Sequence, residues 1–159
     1  MRTQPGFLLA AALLILLATS AGARAATPKA CDLLSAQTAS SILGTAVGAA
    51  VDAKAGATCT YSSKSGNTTV ALGIGDLPGT DGAHTIEVFQ MMASQEKGST
   101  SKSIPGLGEQ SFLVVRASNK NAIVLVYQQK MVTLAVQKPM TADLEKAMVQ
   151  TVRQVLTKL

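Results

Sequence analysis

The first 25 residues constrain the rest of the chain most strongly. Arg2 carries the only positive charge ahead of an unbroken apolar run over residues 7–18, and the small residues Ala21, Ala23 and Ala25 follow. A basic start, an apolar centre and small side chains at −3 and −1 are the three parts of a secretory signal, the last because those two positions enter tight pockets during cleavage. Both Ala21-Gly22-Ala23 and Ala23-Arg24-Ala25 meet that requirement, and the second places the cut after Ala25. The segment that has to fold is then 26–159, a length suited to one domain, and it folds in a periplasmic or extracellular compartment. Residues 7–23 are at the short end of what spans a bilayer, so membrane contact is expected only if the leader stays uncleaved.

Export decides how Cys31 and Cys59, the two cysteines of the chain, are read. In an oxidising compartment an even count predicts pairing. The bridge closes a loop of about 29 residues and stabilises the fold by about 3 to 4 kcal/mol in the chain-entropy model. A redox or metal-binding pair is the alternative, and it would want a C-x-x-C spacing or histidines to complete a metal shell.

Composition narrows the function further. Removing Arg2 and Arg24 with the leader leaves 12 Lys and Arg against 9 Asp and Glu, a net charge of +3. The lysines are scattered, tryptophan is absent, and the aromatic side chains left are Tyr61, Phe89, Phe112 and Tyr127. Nucleic-acid binders cluster cations on one face and supply aromatic platforms for unpaired bases, so no nucleic-acid partner is expected. The same shortage of aromatics argues against carbohydrate chemistry.

Patterning predicts the elements. Residues 31–44 read as a short helix in which Ser35 caps the start and Gly44 ends it in the left-handed conformation, with Leu34, Ala39, Ile42 and Leu43 inward. Residues 47–53 are a candidate edge strand. Residues 58–62 and 68–74 alternate apolar and polar around a turn-rich 63–67, the pattern of a hairpin with one buried face. A second helix beginning near Asp81 carries Ile86, Phe89, Met92 and Ala93 inward. Residues 93–108 hold Ser, Lys and Gly without an apolar period until Ile104 and read as a long loop. Three strands over 110–116, 122–128 and 131–137 follow as a meander. The tail from Thr141 places Leu144, Met148, Val152, Val155 and Leu159 on one helical stripe, with Asp143 in the first turn where the helix dipole favours it. Strands joined by hairpin-length links predict an α+β fold: an antiparallel sheet of about five to six strands with helices packed on one face, stapled by one disulfide.

Chemical constellations are sparse. His84 is the only histidine, so a nucleophile or general-base scheme has to use it, with Asp81, Glu87 or a serine nearby in sequence. Nothing places a hydroxyl, a base and an orienting acid together, and no catalytic residue is assigned. Met91 and Met92 follow His84 at a spacing that could suit copper(I), but methionines more often fill core gaps, and neither a metal site nor a cofactor is assigned. Gly73-x-Gly75 and Gly106-x-Gly108 lack the third glycine or Lys-Ser/Thr sequel of phosphate loops and read as turns.

Cys31-Asp32-Leu33-Leu34, Leu43-Gly44, Cys59-Thr60-Tyr61 and Pro105-Gly106-Leu107-Gly108-Glu109-Gln110-Ser111-Phe112 together resemble a family of small secreted or lipid-anchored bacterial domains of unknown function. Its pattern runs C-x-L-L, L-G, C-x-Y and G-L-G-[DE]-x-[AS]. The resemblance implies a cystine linking the first helix to a sheet strand, a compact α+β domain and no established activity. The chain is also distantly similar to sensor ectodomains of some bacterial receptor kinases. Neither a lipid anchor nor a kinase segment is expected for it. The functional expectation is an exported, non-catalytic binding or interaction module for a small ligand or an envelope protein. Its contact residues are expected in the loop that holds Lys97, Lys102, Gly106, Leu107 and Gly108. The alternative is a small exported hydrolase that uses His84 with nearby acids or a serine.

Overall fold

The structure, a computed structural model, describes residues 27–76, 82–117, 120–128 and 130–159. The expected leader, Asp81, Ser118, Asn119 and Gln129 lie outside them. The elements run α1 (Ala30–Leu33), α2 (Ala36–Leu43), β1 (Val51–Ala53), β2 (Thr58–Ser62), β3 (Thr69–Gly75), α3 (Gly82–Gln95), β4 (Thr100–Ser103), β5 (Gln110–Arg116), β6 (Asn121–Gln128), β7 (Lys130–Gln137) and α4 (Ala142–Leu156). The seven strands make one antiparallel sheet in the order β1-β2-β3-β7-β6-β5-β4.

Five to six strands was an undercount. The strand not foreseen is β4, which replaces the middle of the expected long loop. Its four residues are all exposed, and it exists because its backbone pairs with β5, Thr100 opposite Val115 through Ser103 opposite Phe112. An edge strand held by backbone alone carries no apolar alternation to read. The expected first helix is also two pieces, α1 and α2, broken at Leu34 and Ser35. Ser35 is extended, and its Oγ accepts from the backbone N–H of Thr38 at 3.1 Å. Gly44 ends α2 with φ 70°.

Side chains alternate across a strand, so each row of register partners lies on one face of the sheet. One row runs Cys59, Leu72, Leu134, Val124 and Leu113. It belongs to the main core, where it meets Ala39, Ile42 and Leu43 of α2 and Leu144, Met148, Val152 and Val155 of α4. The disulfide pins α1 onto this face, with the Cα atoms of Cys31 and Cys59 4.9 Å apart. The α4 stripe lies as the spacing predicts, except that Leu159 beyond the helix end is exposed. Thr141 Oγ1 accepts from the Leu144 backbone N–H at 3.1 Å.

The next row, Phe112, Leu125, Thr133, Gly73 and Thr58, lies on the opposite face. Here a second, smaller core joins Phe112, Val114 and Leu125 to Ile86 and Ala93 of α3. Helices therefore cover both faces, which corrects the one-face expectation. The cause is in β5 and β6, where Phe112-Leu113-Val114 and Val124-Leu125-Val126 are buried at successive positions and so present apolar groups to both sides. Large residues of the sheet fill this layer, and α3 needs only Ile86 and Ala93 to close it. Phe89 and Met92, expected inward, are exposed instead.

Candidate functional site

Residues 104–109 join β4 to β5 at the start of β5, and their path is set by two residues. Leu107 turns inward and is buried in the main core. Gly108 sits at φ 67° so close to β6 that a Cβ would lie 2.5 Å from Val126 Cγ1 and 2.8 Å from the Tyr127 carbonyl oxygen. The next residue donates its backbone N–H to that same oxygen, Glu109 N to Tyr127 O at 2.9 Å. The Ser111 hydroxyl donates to the Ile104 carbonyl at 2.6 Å, and the Ile104 N–H returns to the Ser111 carbonyl at 3.2 Å. The connection is thus fastened at both ends.

Between this connection and α3 lies an open cleft of about 360 Å³. α3 contributes Ile86, Glu87 and Gln90, and the chain from 103 to 111 contributes the other wall. Its polar side chains are Glu87, Gln90, Ser103, Glu109, Gln110 and Ser111, with Ile86, Ile104 and Pro105 between them. Among the described residues, two carboxylates line it and no Lys or Arg does. A smaller depression of about 230 Å³ lies elsewhere on the α3 face, over Thr69, Ala71, Asn121, Ala135 and Gln137.

The residues expected to form one contact loop are separated. Gly106, Leu107 and Gly108 line the cleft, but Leu107 spends its side chain on the core and offers no anchor to a partner. Lys97 lies before β4, at its far end from Gly106. Lys102 points to the other face, where its Nζ is 2.8 Å from Glu145 of α4. His84 is exposed, does not line the cleft, and has its Nδ1 4.0 Å from Glu87 Oε2. No three His, Cys, Asp or Glu side chains are grouped so as to hold a metal ion among the described residues. Cys31 and Cys59 are joined to each other, and no cysteine is free.

No family model matches the chain, and no curated protein matches it. Sequence reasoning named Glu87 only as an acid near His84, and it missed Gln90, Ser103, Glu109, Gln110 and Ser111 as cleft residues. Three of them follow Gly108 directly, inside the motif Gly-Leu-Gly-Glu-Gln-Ser. A glycine pair around a buried leucine signals a loop folded tightly onto a sheet, and the polar residues just after such a loop stand at its rim. The α3 members carry no comparable signal.

Proposed function

We propose that the protein is an exported binding module whose ligand, a polar group bearing a positive charge, enters the cleft between α3 and residues 104–109. The carrying observation is the cleft itself, a concavity lined by hydrogen-bonding side chains and two carboxylates with no cation among them. Pockets orient ligands with a few placed polar groups on a rigid frame, and here Leu107 and Gly108 supply the rigidity. Export is supported by the leader pattern and by the disulfide, which needs an oxidising compartment. No helix among the described residues is long and apolar enough to cross a membrane. Binding is favoured over hydrolysis because His84 lies outside the cleft, and a general base has to stand within hydrogen-bond reach of the proton it takes.

The test is an NMR titration of the 26–159 protein with an acetylated Gly-Lys-Gly amide, compared with its Gly-Leu-Gly counterpart. Amides of Glu87, Gln90 and 109–111 should shift with the lysine peptide alone, and Glu87→Gln with Glu109→Gln should remove the response. Equal shifts with both peptides, or shifts confined to residues outside the cleft, would overturn the reading. Hydrolysis of an ester substrate that is lost in His84→Ala at unchanged melting temperature would favour the enzyme instead.

A further inference from the structure

Among the described residues, the α3 face of the sheet is only half covered. α3 lies over β4, β5 and β6, and beside it β7, β3 and β2 present Thr133, Ala135, Ala71, Gly73, Thr58 and Thr60, all small and uncharged. Five of the six large apolar side chains exposed among the described residues belong to this face. Four stand on α3, namely Val88, Phe89, Met91 (60% exposed) and Met92 (58%), and the fifth is Val51 (61%) at the far rim, in register with Thr60. Asn121 Oδ1, buried at the edge of the same trough, accepts no hydrogen bond among the described residues. Concentrated apolar exposure on one face marks an interaction surface.

The geometry points to a second copy of this chain as the occupant, packed face to face about a two-fold axis that runs along the strands. Helical residues are spaced about 100° apart. Ile86 and Ala93 face the sheet, Glu87 and Gln90 take the cleft flank, Phe89 and Met92 take the opposite flank beside the trough, and Val88 and Met91 point away from the sheet. A two-fold axis across the strands would stack α3 on its own copy. An axis along the strands carries α3 of each copy over the vacant half of the other. From β5 to β7 is two strand spacings, about 9.6 Å, which matches the 8 to 10 Å between packed helices. The partner's α3 then lies above β7, with its Val88 and Met91 on the Ala135, Thr133 and Ala71 floor and its Phe89 and Met92 against the first α3. Each copy contributes three strips about 21 Å long and 10 Å wide, or about 600 Å² a side, within the size range of stable interfaces.

The floor carries no cations to draw it to an anionic lipid surface. Thr27, the first described residue, is held by Lys130, whose Nζ donates to its Oγ1 at 2.9 Å, and leads directly into α1 on the other face. The Glu87 flank and its cleft stay open in the pair.

Sedimentation of the 26–159 protein at about 100 µM, far above the micromolar upper end for interfaces of this size, should give a dimer. Val88→Glu should weaken it at least tenfold, because the charge is buried unpaired on the partner's floor, and Ala71→Lys should do the same from the other side. Val88 is exposed in the single copy, so its variant keeps the test if Ala71→Lys fails to fold. Met92→Cys should form a disulfide with its own equivalent under mild oxidation, since a two-fold axis between parallel helices sets like residues opposite, while Glu87→Cys should not. A monomer at that concentration overturns the proposal, as does a dimer indifferent to Val88→Glu or a Glu87→Cys that cross-links as readily. A monomer that floats with phosphatidylcholine vesicles overturns it in favour of a lipid occupant.

Discussion

Leu107 and Gly108 illustrate how single residues decide what the loop can present. Leu107 lies in the main core, so Leu107→Ser removes apolar packing and buries a hydroxyl, costing about 3 to 5 kcal/mol. Gly108→Ala forces a left-handed alanine against Val126 and the Tyr127 carbonyl, and should cost at least about 2 kcal/mol. Both should appear as lower urea midpoints, and a wild-type midpoint for either would mean that the connection is not seated on β6. The opposite sign is expected at Ala55. It follows Lys54 in the turn after β1, with φ 53° and 55° at the two positions, a conformation costing an L-residue about 1 to 2 kcal/mol. Ala55→Gly relieves it and, after glycine's larger unfolded-state entropy, should raise stability by about 0.5 to 1 kcal/mol. A lower melting temperature for Ala55→Gly would refute that turn. The paired glycines at 106 and 108 were legible as a turn, but not the burial of the leucine between them, because a lone apolar residue on a loop has no period to reveal its direction.

At the scale of elements, α4 was the most readable because a core on one side only imposes a complete stripe. Val152 is fully buried in the main core while Lys158 is exposed past the helix end. Val152→Asp should therefore cost more than about 3 kcal/mol or unfold the domain, and Lys158→Ala should stay within about 0.5 kcal/mol. Thr141→Ala removes the cap of the same helix and should cost about 1 kcal/mol. Thermal melts of the three variants check the ranking Val152, Thr141, Lys158, and any inversion would break the assignment of the stripe. α3 was harder to read, since Phe112, Leu125 and Val114 already fill the layer beneath it and leave its own apolar residues facing outward. Its sequence looks like that of a core helix with Phe89 and Met92 inward, and only the sheet's large side chains reverse that reading. The consecutive apolar residues of β5 and β6 were the available sign that both faces are covered, as runs without alternation mark strands buried on two sides.

For the whole molecule, the even cysteine count, read together with the expected export, predicted the staple, and the α+β antiparallel architecture followed from hairpin-length links. Strand number did not, because β4 is held at the sheet edge by backbone bonds that leave no trace in side-chain pattern. The cleft was legible on one wall only: the Gly106 to Ser111 wall shows itself by its glycines, whereas Glu87 and Gln90 reach it because α3 crosses to the second face. The disulfide ties this layout together, since it joins a four-residue helix, too short to hold itself, to the second strand of the sheet. Its removal acts through the unfolded chain, which regains the freedom of a loop of about 29 residues. Cys31→Ala with Cys59→Ala should then lower stability by about 3 to 4 kcal/mol and the melting temperature by about 10 °C. The sheet register of β3, β7, β6 and β5 should persist, because those strands rest on the main core rather than on the bridge. Amide exchange measured on the double variant separates the two effects. Fast exchange confined to α1 and β1–β2 with protection kept in β5–β7 is the expected result, and uniform loss of protection across β5–β7 at a temperature well below the melt would show that the bridge, not the core, organises the sheet.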